Sequence, residues 1–162
     1  MTRFDPAAVI EELRLRGWTL GVAESLTGGA LCAALVSVPG ASSVVLGAVV
    51  AYATPVKSTL LGVDAGLLAQ HGAVHPQVAA QMAVGVRRAV QVNGVEAVVG
   101  VSTTGIAGPE SPDGQPVGTV HIGLALPDGV RSTAFFFEGD RAAVRAQTVD
   151  AALALIVRAV RE

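Results

Sequence analysis

A serine, a tyrosine and a lysine lie within sixteen residues of one another near the middle of the chain. Ser42 and Tyr52 flank a mostly apolar segment, and Lys57 follows Thr54-Pro55. A hydroxyl residue before proline is typical of a helix start, so we predict that Thr54 caps a helix and that Lys57 lies in its first turn. The helix dipole and the apolar strand both disfavour a charged lysine there. Since neutral lysine is a usable base, the segment is a candidate Ser–Lys site.

A strand period supports this grouping, although the same residues fit a second interpretation. If no bulge intervenes at Gly47, Ser42 and Tyr52 lie on one side of the strand, whereas Ser43 faces the other. The alternative is a surface lysine, a turn serine and a packed tyrosine, because ordinary structure also produces perturbed groups. The pattern alone leaves both interpretations open.

Two further polar segments follow predicted strands. Residues 24–29, Glu-Ser-Leu-Thr-Gly-Gly, lie between a short strand and a helix that runs to about Ser37. Free N–H groups at such a helix start favour an anion, although a tight turn without a ligand fits equally well. Residues 103–109, Thr-Thr-Gly-Ile-Ala-Gly-Pro, follow a strand at residues 96–102. Ligands of open α/β sheets bind at such carboxyl ends.

The rest of the pattern predicts the elements that must position these residues. One helix begins at Asp5-Pro6 and ends near Arg16-Gly17, a long one runs from His75-Pro76 to Asn93-Gly94, and Asp140 caps the last. Residues 117–126 and 130–137 flank a Pro-Asp-Gly turn, which is typical of a hairpin. The order α-β-α-β-α-α-β-β-β-α indicates an α/β fold: a three-layer α/β/α sandwich with a mixed sheet and an antiparallel hairpin, in one domain over residues 1–162.

The composition excludes several classes of protein. The chain is 51% hydrophobic with a net charge of −2, which favours tight α/β packing over disorder. It has no basic cluster, so we expect no nucleic-acid partner. The lone Cys32 and the absence of an apolar signal or membrane-length run predict a soluble cytoplasmic protein without a membrane partner. No metal or other cofactor is predicted, because no Cys, His and carboxylate set has zinc spacing. The Val/Phe-rich hairpin is compatible with a homo-oligomer.

Seven segments together indicate a known family. They are, in order, residues 23–29, residues 50–52 followed by Lys57, and residues 60–63, 70–74, 104–109, 116–120 and 139–141. In this order they resemble the CinA C-terminal domain family, and the resemblance extends from about Val9 to Ile156. It implies a nicotinamide-nucleotide amidohydrolase, here in the stand-alone form without an amino-terminal molybdopterin-binding-like domain.

The resemblance implies hydrolysis of the carboxamide of nicotinamide mononucleotide to nicotinic acid mononucleotide and ammonia. By match to the family's motifs, Ser42 is the expected nucleophile, Lys57 its base and Tyr52 an auxiliary proton or orienting group. Thr104 and Arg141 match further essential positions, and Ser25 matches a supporting one.

Three questions about this site stay open at this level. N–H groups near Ser42 or in the Thr104–Gly105 turn could hold the oxyanion. Arg141 or the Thr27-Gly28-Gly29 helix start could hold the substrate phosphate. The competing functions are a catalytically silent nucleotide-binding or regulatory protein and a Ser–Lys hydrolase of another small amide.

Overall fold

The computed structural model describes residues 4–112 and 114–162, which form a five-stranded mixed sheet with helices on both faces. The strands are β1 (Leu20–Glu24), β2 (Val45–Val50), β3 (Val99–Gly105), β4 (Thr119–Leu126) and β5 (Gly129–Phe136). The helices are α1 (Pro6–Arg16), α2 (Ala30–Val36), α3 (Thr54–Leu61), α4 (Ala65–His71), α5 (Pro76–Ala89) and α6 (Arg141–Arg161), and a short 3-10 helix spans Ala41–Ser43.

The order of strands in the sheet is β2-β1-β3-β4-β5. Strand β1 is central to the parallel part, since it pairs in parallel with both β2 and β3. Strands β3, β4 and β5 then pair antiparallel, which confirms the predicted hairpin. Because parallel strands end at the same edge, the residues that follow β1, β2 and β3 are brought together there.

Two apolar clusters separate the three layers. The larger cluster lies between the sheet and α1, α2 and α6, with Leu13, Leu31 and Ile156 among its fully buried residues. The smaller lies on the opposite face, between the sheet, α3 and α5. Helix α5 lies very close to β3 and β4, because a Cβ on Gly100 or Gly123 would collide with a carbonyl oxygen of α5. The three-layer α/β/α prediction is confirmed.

Local signals predicted several ends of elements correctly. Asp5 caps α1 and Gly17 ends it in the left-handed conformation. Asp140 caps α6 by accepting a hydrogen bond from the Ala143 amide. The aspartates accept hydrogen bonds from backbone N–H groups of the first helical turn, and the glycine ends its helix. All three signals act within a few residues of the helix end.

Three boundaries differ from the predictions. Ala53, not Thr54, is the N-cap of α3, and Thr54 is its first helical residue. Helix α5 ends at Ala89, since the following residues form a separate turn closed by a bridge between Val92 and Val95. Strand β3 continues to Gly105 because pairing with β4 extends it through residues predicted as a loop.

Among the described residues, no helix is both long enough and apolar enough to cross a membrane. The same residues contain no group of three or more histidine, cysteine or acidic side chains that could hold a metal ion.

Candidate active site

Lys57 is the central residue of the candidate site, because a lysine is rarely buried completely. It lies in the first turn of α3 and is 1% exposed. Helical side chains lean toward the amino terminus, so its side chain points back to the carboxyl end of β2. The Nζ atom lies 3.0 Å from the Ser25 Oγ and 2.7 Å from the carbonyl oxygen of Ala51. A longer bond of 3.4 Å reaches the carbonyl oxygen of Tyr52.

Burial changes the acidity of this lysine. The loss of solvation lowers the pKa of Lys57 from 10.5 to about 8. Its three hydrogen-bond partners within the described residues are neutral oxygen atoms, so no carboxylate among them offsets that loss. Lys57 therefore loses its proton at a lower pH than an exposed lysine, and its neutral form can accept a proton from the adjacent hydroxyl.

Ser25 is the hydroxyl partner of Lys57. It follows β1 directly and is 8% exposed. Its amide donates to the carbonyl oxygen of Thr103 on β3, which fixes the start of the turn against the neighbouring strand. The Ser25–Lys57 pair thus depends on strands β1, β2 and β3 ending at one edge.

Ser42 does not lie in this site, and the predicted pairing of Ser42 with Lys57 is wrong. Ser42 is exposed on the short 3-10 helix before β2 and lines a different cavity with Val36 and Pro39. Lys57 follows the opposite end of β2. Six residues of strand at about 3.3 Å each separate those ends by roughly 20 Å. The predicted shared face with Tyr52 fails because Ser42 precedes the strand.

Arg141 and Tyr52 form the outer part of the site. Arg141 Nη2 donates to the Tyr52 hydroxyl at 2.9 Å, and Nη1 donates to the carbonyl oxygen of Gly108 at 2.7 Å. Arg141 is the first residue of α6, where the helix dipole disfavours a cation. Tyr52 is 61% exposed. The exposed Tyr52 phenol and the Arg141 guanidinium therefore present hydrogen-bond donors to solvent at the mouth of the site.

A cavity of about 490 Å³ connects these residues. Ser25, Lys57, Thr104 and Gly105 line it together with Tyr52 and Arg141. The Thr104 hydroxyl donates to the carbonyl oxygen of Ala73 at 2.8 Å, which ties β3 to the connector before α5. Of the predicted substrate-binding residues, Ser25, Thr104, Gly105 and Arg141 are therefore brought together.

The predicted anion site at Thr27-Gly28-Gly29 is occupied by a side chain of the protein itself. Glu24 is fully buried and accepts hydrogen bonds from the amides of Gly29, Leu31 and Cys32. The Gly28 amide donates to the carbonyl oxygen of Ser25. The amides of Gly28 and Gly29 are therefore not available to a phosphate, and these glycines do not line the cavity.

Thr27 and Leu26 complete the turn. The Thr27 hydroxyl is buried against that of Thr103 at 2.7 Å, so its side chain faces the sheet and not the cavity. Within residues 4–112 and 114–162, the amides of Leu26 and Thr27 donate no hydrogen bond. Buried amides are rarely left unpaired, and Leu26 lines the cavity beside Ser25. Its amide is thus a donor next to the serine that sequence patterns did not identify.

The fold and the site define a class: an α/β domain with a buried Ser–Lys pair at the carboxyl edge of parallel strands. The family model for the CinA C-terminal domain matches residues 5–160, and the chain belongs to this family.

Two CinA-like proteins are similar to the chain in sequence. The one from Frankia casuarinae is 50% identical over 143 residues, which cover 88% of this chain and 32% of the relative. The one from Anaeromyxobacter sp. (strain Fw109-5) is 45% identical over 158 residues, which cover 96% of this chain and 37% of the relative. The chain thus spans about a third of the length of these relatives.

Two solved structures have the same fold. A competence-damaged protein (CinA) superfamily protein from Klebsiella pneumoniae is 32% identical with a TM-score of 0.90, covering 96% of this chain and 95% of that one. A competence/damage inducible protein from Agrobacterium tumefaciens is 32% identical with a TM-score of 0.87, covering all of both chains (100% each).

Proposed function

We propose that this domain hydrolyses the carboxamide of nicotinamide mononucleotide to nicotinic acid mononucleotide and ammonia, with Ser25 as nucleophile and Lys57 as its base. The observation that carries the proposal is the 3.0 Å contact between the Lys57 Nζ and the Ser25 Oγ. It joins a hydroxyl in a cavity to a lysine whose pKa burial lowers to about 8. An amide needs such an activated nucleophile, and a desolvated lysine supplies the base without a histidine.

In the first half of the reaction, Ser25 attacks the carbonyl carbon of the carboxamide while neutral Lys57 takes the hydroxyl proton. The carbonyl oxygen becomes an oxyanion, and the Leu26 amide is the donor beside it. Lys57 then hands its proton to the amide nitrogen, the C–N bond breaks, and ammonia leaves. The product of this half is an ester between Ser25 and the nicotinoyl group.

In the second half, water replaces ammonia as the partner of Lys57. Lys57 takes a proton from water, and the resulting hydroxide attacks the ester carbon. The proton returns to the Ser25 oxygen as the ester bond breaks, which restores the enzyme and releases the nicotinic acid product. Burial of Lys57 serves both halves, because the group must be neutral at the start of each.

The outer part of the site suits the phosphoribosyl end of the substrate. Arg141 is a cation at the mouth of the cavity, and a guanidinium binds phosphate well through paired N–H donors. The cavity volume of about 490 Å³ lies in the range of small-molecule sites. We assign the phosphate to Arg141, and Tyr52 to orienting Arg141 through their hydrogen bond.

The test is covalent trapping together with turnover. Wild-type protein, Ser25→Ala and Ser42→Ala are compared for ammonia release from nicotinamide mononucleotide and for labelling by an electrophilic amide analogue, with the labelled peptide mapped by mass spectrometry. We expect Ser25→Ala to remain folded and lose labelling and turnover. Ser42→Ala is the matched control and should retain both. Label on Ser42, or turnover by Ser25→Ala, would overturn the assignment, and tight binding by wild-type protein without ammonia release would favour a catalytically silent nucleotide-binding protein.

A further inference from the structure

Arg145 joins the last helix of the chain to the turn that contains Ser25. It lies on α6 one helical turn after Arg141 and is half-buried. Its Nε donates to the carbonyl oxygen of Leu26 at 2.9 Å, and its Nη2 donates to that of Thr27 at 2.9 Å. One guanidinium therefore binds two consecutive carbonyl groups directly after Ser25.

These two bonds fix more than the carbonyl groups themselves. A peptide group is planar and trans, so its N–H points opposite to its C=O. Fixing the Leu26 carbonyl therefore fixes the direction of the Thr27 amide, and fixing the Thr27 carbonyl fixes that of Gly28. The Gly28 amide in turn donates to the carbonyl oxygen of Ser25. The Ser25 carbonyl and the Leu26 amide belong to one planar peptide group. The bonds of Arg145 therefore also restrict the direction of the Leu26 amide, which is the donor beside Ser25.

Arg145 and Glu24 bind complementary backbone groups in and directly after the turn. Glu24 binds the amides of Gly29, Leu31 and Cys32, and Arg145 binds the carbonyl groups of Leu26 and Thr27. A planar guanidinium suits this task because its donors have a fixed geometry, whereas a lysine presents a single point of charge. Among the described residues Arg145 forms no ion pair with a carboxylate, so its polar contacts are these backbone oxygens.

We propose that Arg145 is a positioning residue for the hydrolysis: it orients the backbone of residues 25–28 so that Ser25 faces Lys57 and the Leu26 amide faces the cavity. The catalytic part of this inference rests on the proposed function, with Ser25 as nucleophile. Misplacement of a reacting group by about 1 Å lowers a rate on the order of 10²-fold, which sets the expected size of the effect.

The experiment compares Arg145→Met, Arg145→Lys and the control Arg158→Met. Arg158 lies on the same helix, and its side chain is 78% exposed in a surface pair with Glu162. Two quantities are measured: kcat and KM for nicotinamide mononucleotide, and the exchange rates of the backbone amides of residues 25–29 by NMR. We expect Arg145→Met to lower kcat about 10²-fold with KM changed about threefold or less, and Arg145→Lys to lower it about tenfold.

Three accompanying results separate positioning from loss of the fold. The midpoint of the pH profile should stay near 8 in Arg145→Lys, because the burial of Lys57 is unchanged. Amide exchange should accelerate at Gly28 and Gly29 in Arg145→Met while the strands stay protected. Arg158→Met should behave as wild-type protein in every measurement.

The outcomes for the two proposals are distinguishable. Unchanged exchange at residues 25–29 in Arg145→Met overturns the role of Arg145 whatever the substrate is. Faster exchange with unchanged kcat also overturns the role of Arg145. In that case Arg145 would order the turn, but the reaction would not require that order. Failure of the wild-type protein to release ammonia overturns the proposed function, and the exchange result still decides whether Arg145 orients the turn.

Discussion

At the scale of single residues, the site depends on a charge in an unfavourable place. Lys57 is buried at the amino-terminal end of a helix, where both desolvation and the helix dipole oppose a cation. The same burial lowers the pKa of Lys57 to about 8, which suits its proposed role as a base. Arg141 shows the same pattern at the start of α6 but remains at the mouth of the cavity, where solvent is available.

We predict that kcat/KM rises as the pH increases through about 8 and then levels off, because Lys57 accepts a proton only after losing its own. Lys57→Arg should lower kcat by on the order of 10²-fold or more, since arginine does not deprotonate in proteins. Both are measured by ammonia release between pH 6 and 10 (roughly the range that spans this pKa). A urea unfolding curve controls for damage to the fold. A flat pH profile, or near-normal turnover by Lys57→Arg, would remove the lysine from the mechanism.

At the scale of elements, the turn between β1 and α2 is organised by Glu24. This buried carboxylate is the last residue of β1 and binds three amides at the start of α2. Its carboxylate accepts hydrogen bonds from backbone N–H groups at the start of the helix, which would otherwise attract an external anion. The same three bonds join the end of β1 to the start of α2 across the turn that contains Ser25.

Glu24→Gln tests this cap. The amide retains one acceptor oxygen but places an NH₂ group against backbone donors, so we expect a loss of about 2 kcal/mol in the free energy of unfolding. The matched control is Glu11→Gln, which removes an exposed ion pair with Arg14 and should change that free energy by about 0.5 kcal/mol or less. Urea denaturation measures both. Equal small effects in the two variants would contradict the role of Glu24 as a cap.

At the scale of the whole molecule, the site closes only when distant parts of the chain meet. Tyr52 and Arg141 are 89 residues apart in sequence, and Leu26 and Arg145 are 119 residues apart. The segments that follow the parallel strands β1 and β2 supply Ser25 and Lys57, and α6 supplies the two arginines. Because Lys57 is buried in the folded protein, the stability of the protein should depend on the protonation of this residue.

The folded-state pKa of Lys57, about 8, lies below its ordinary value of 10.5. Between these two pH values the unfolded chain binds more protons than the folded protein, so the free energy of unfolding rises with pH in that window. The shift corresponds to about 3 kcal/mol at most. We predict that Lys57→Met, which has no titrating group, is favoured over wild-type protein more at pH 7 than at pH 10. Urea denaturation of both proteins at these two pH values measures the change, and a constant difference between them would contradict it.

Sequence alone determined the features that depend on neighbours along the chain. The caps at Asp5 and Asp140, the left-handed end of α1 at Gly17 and the hairpin around its Pro-Asp-Gly turn are such features, since each involves residues within one or two turns. The alternation of apolar and polar segments also gave the three-layer α/β/α fold. The importance of Lys57 and its position in the first turn of a helix could be predicted for the same reason, although whether it serves as a base is still a prediction.

Tertiary structure alone decided which residues meet. Strand period relates residues within one strand, so it grouped Ser42 with Tyr52, but it carries no information on which strand ends lie at the same edge. That edge is set by the parallel pairing of β1 with β2 and β3, which brings Ser25 to Lys57 and leaves Ser42 at the opposite end of β2. The phosphate site predicted at Gly28-Gly29 failed for a related reason: a free helix start attracts an anion, and the packing of β1 against α2 had already supplied one in the carboxylate of Glu24.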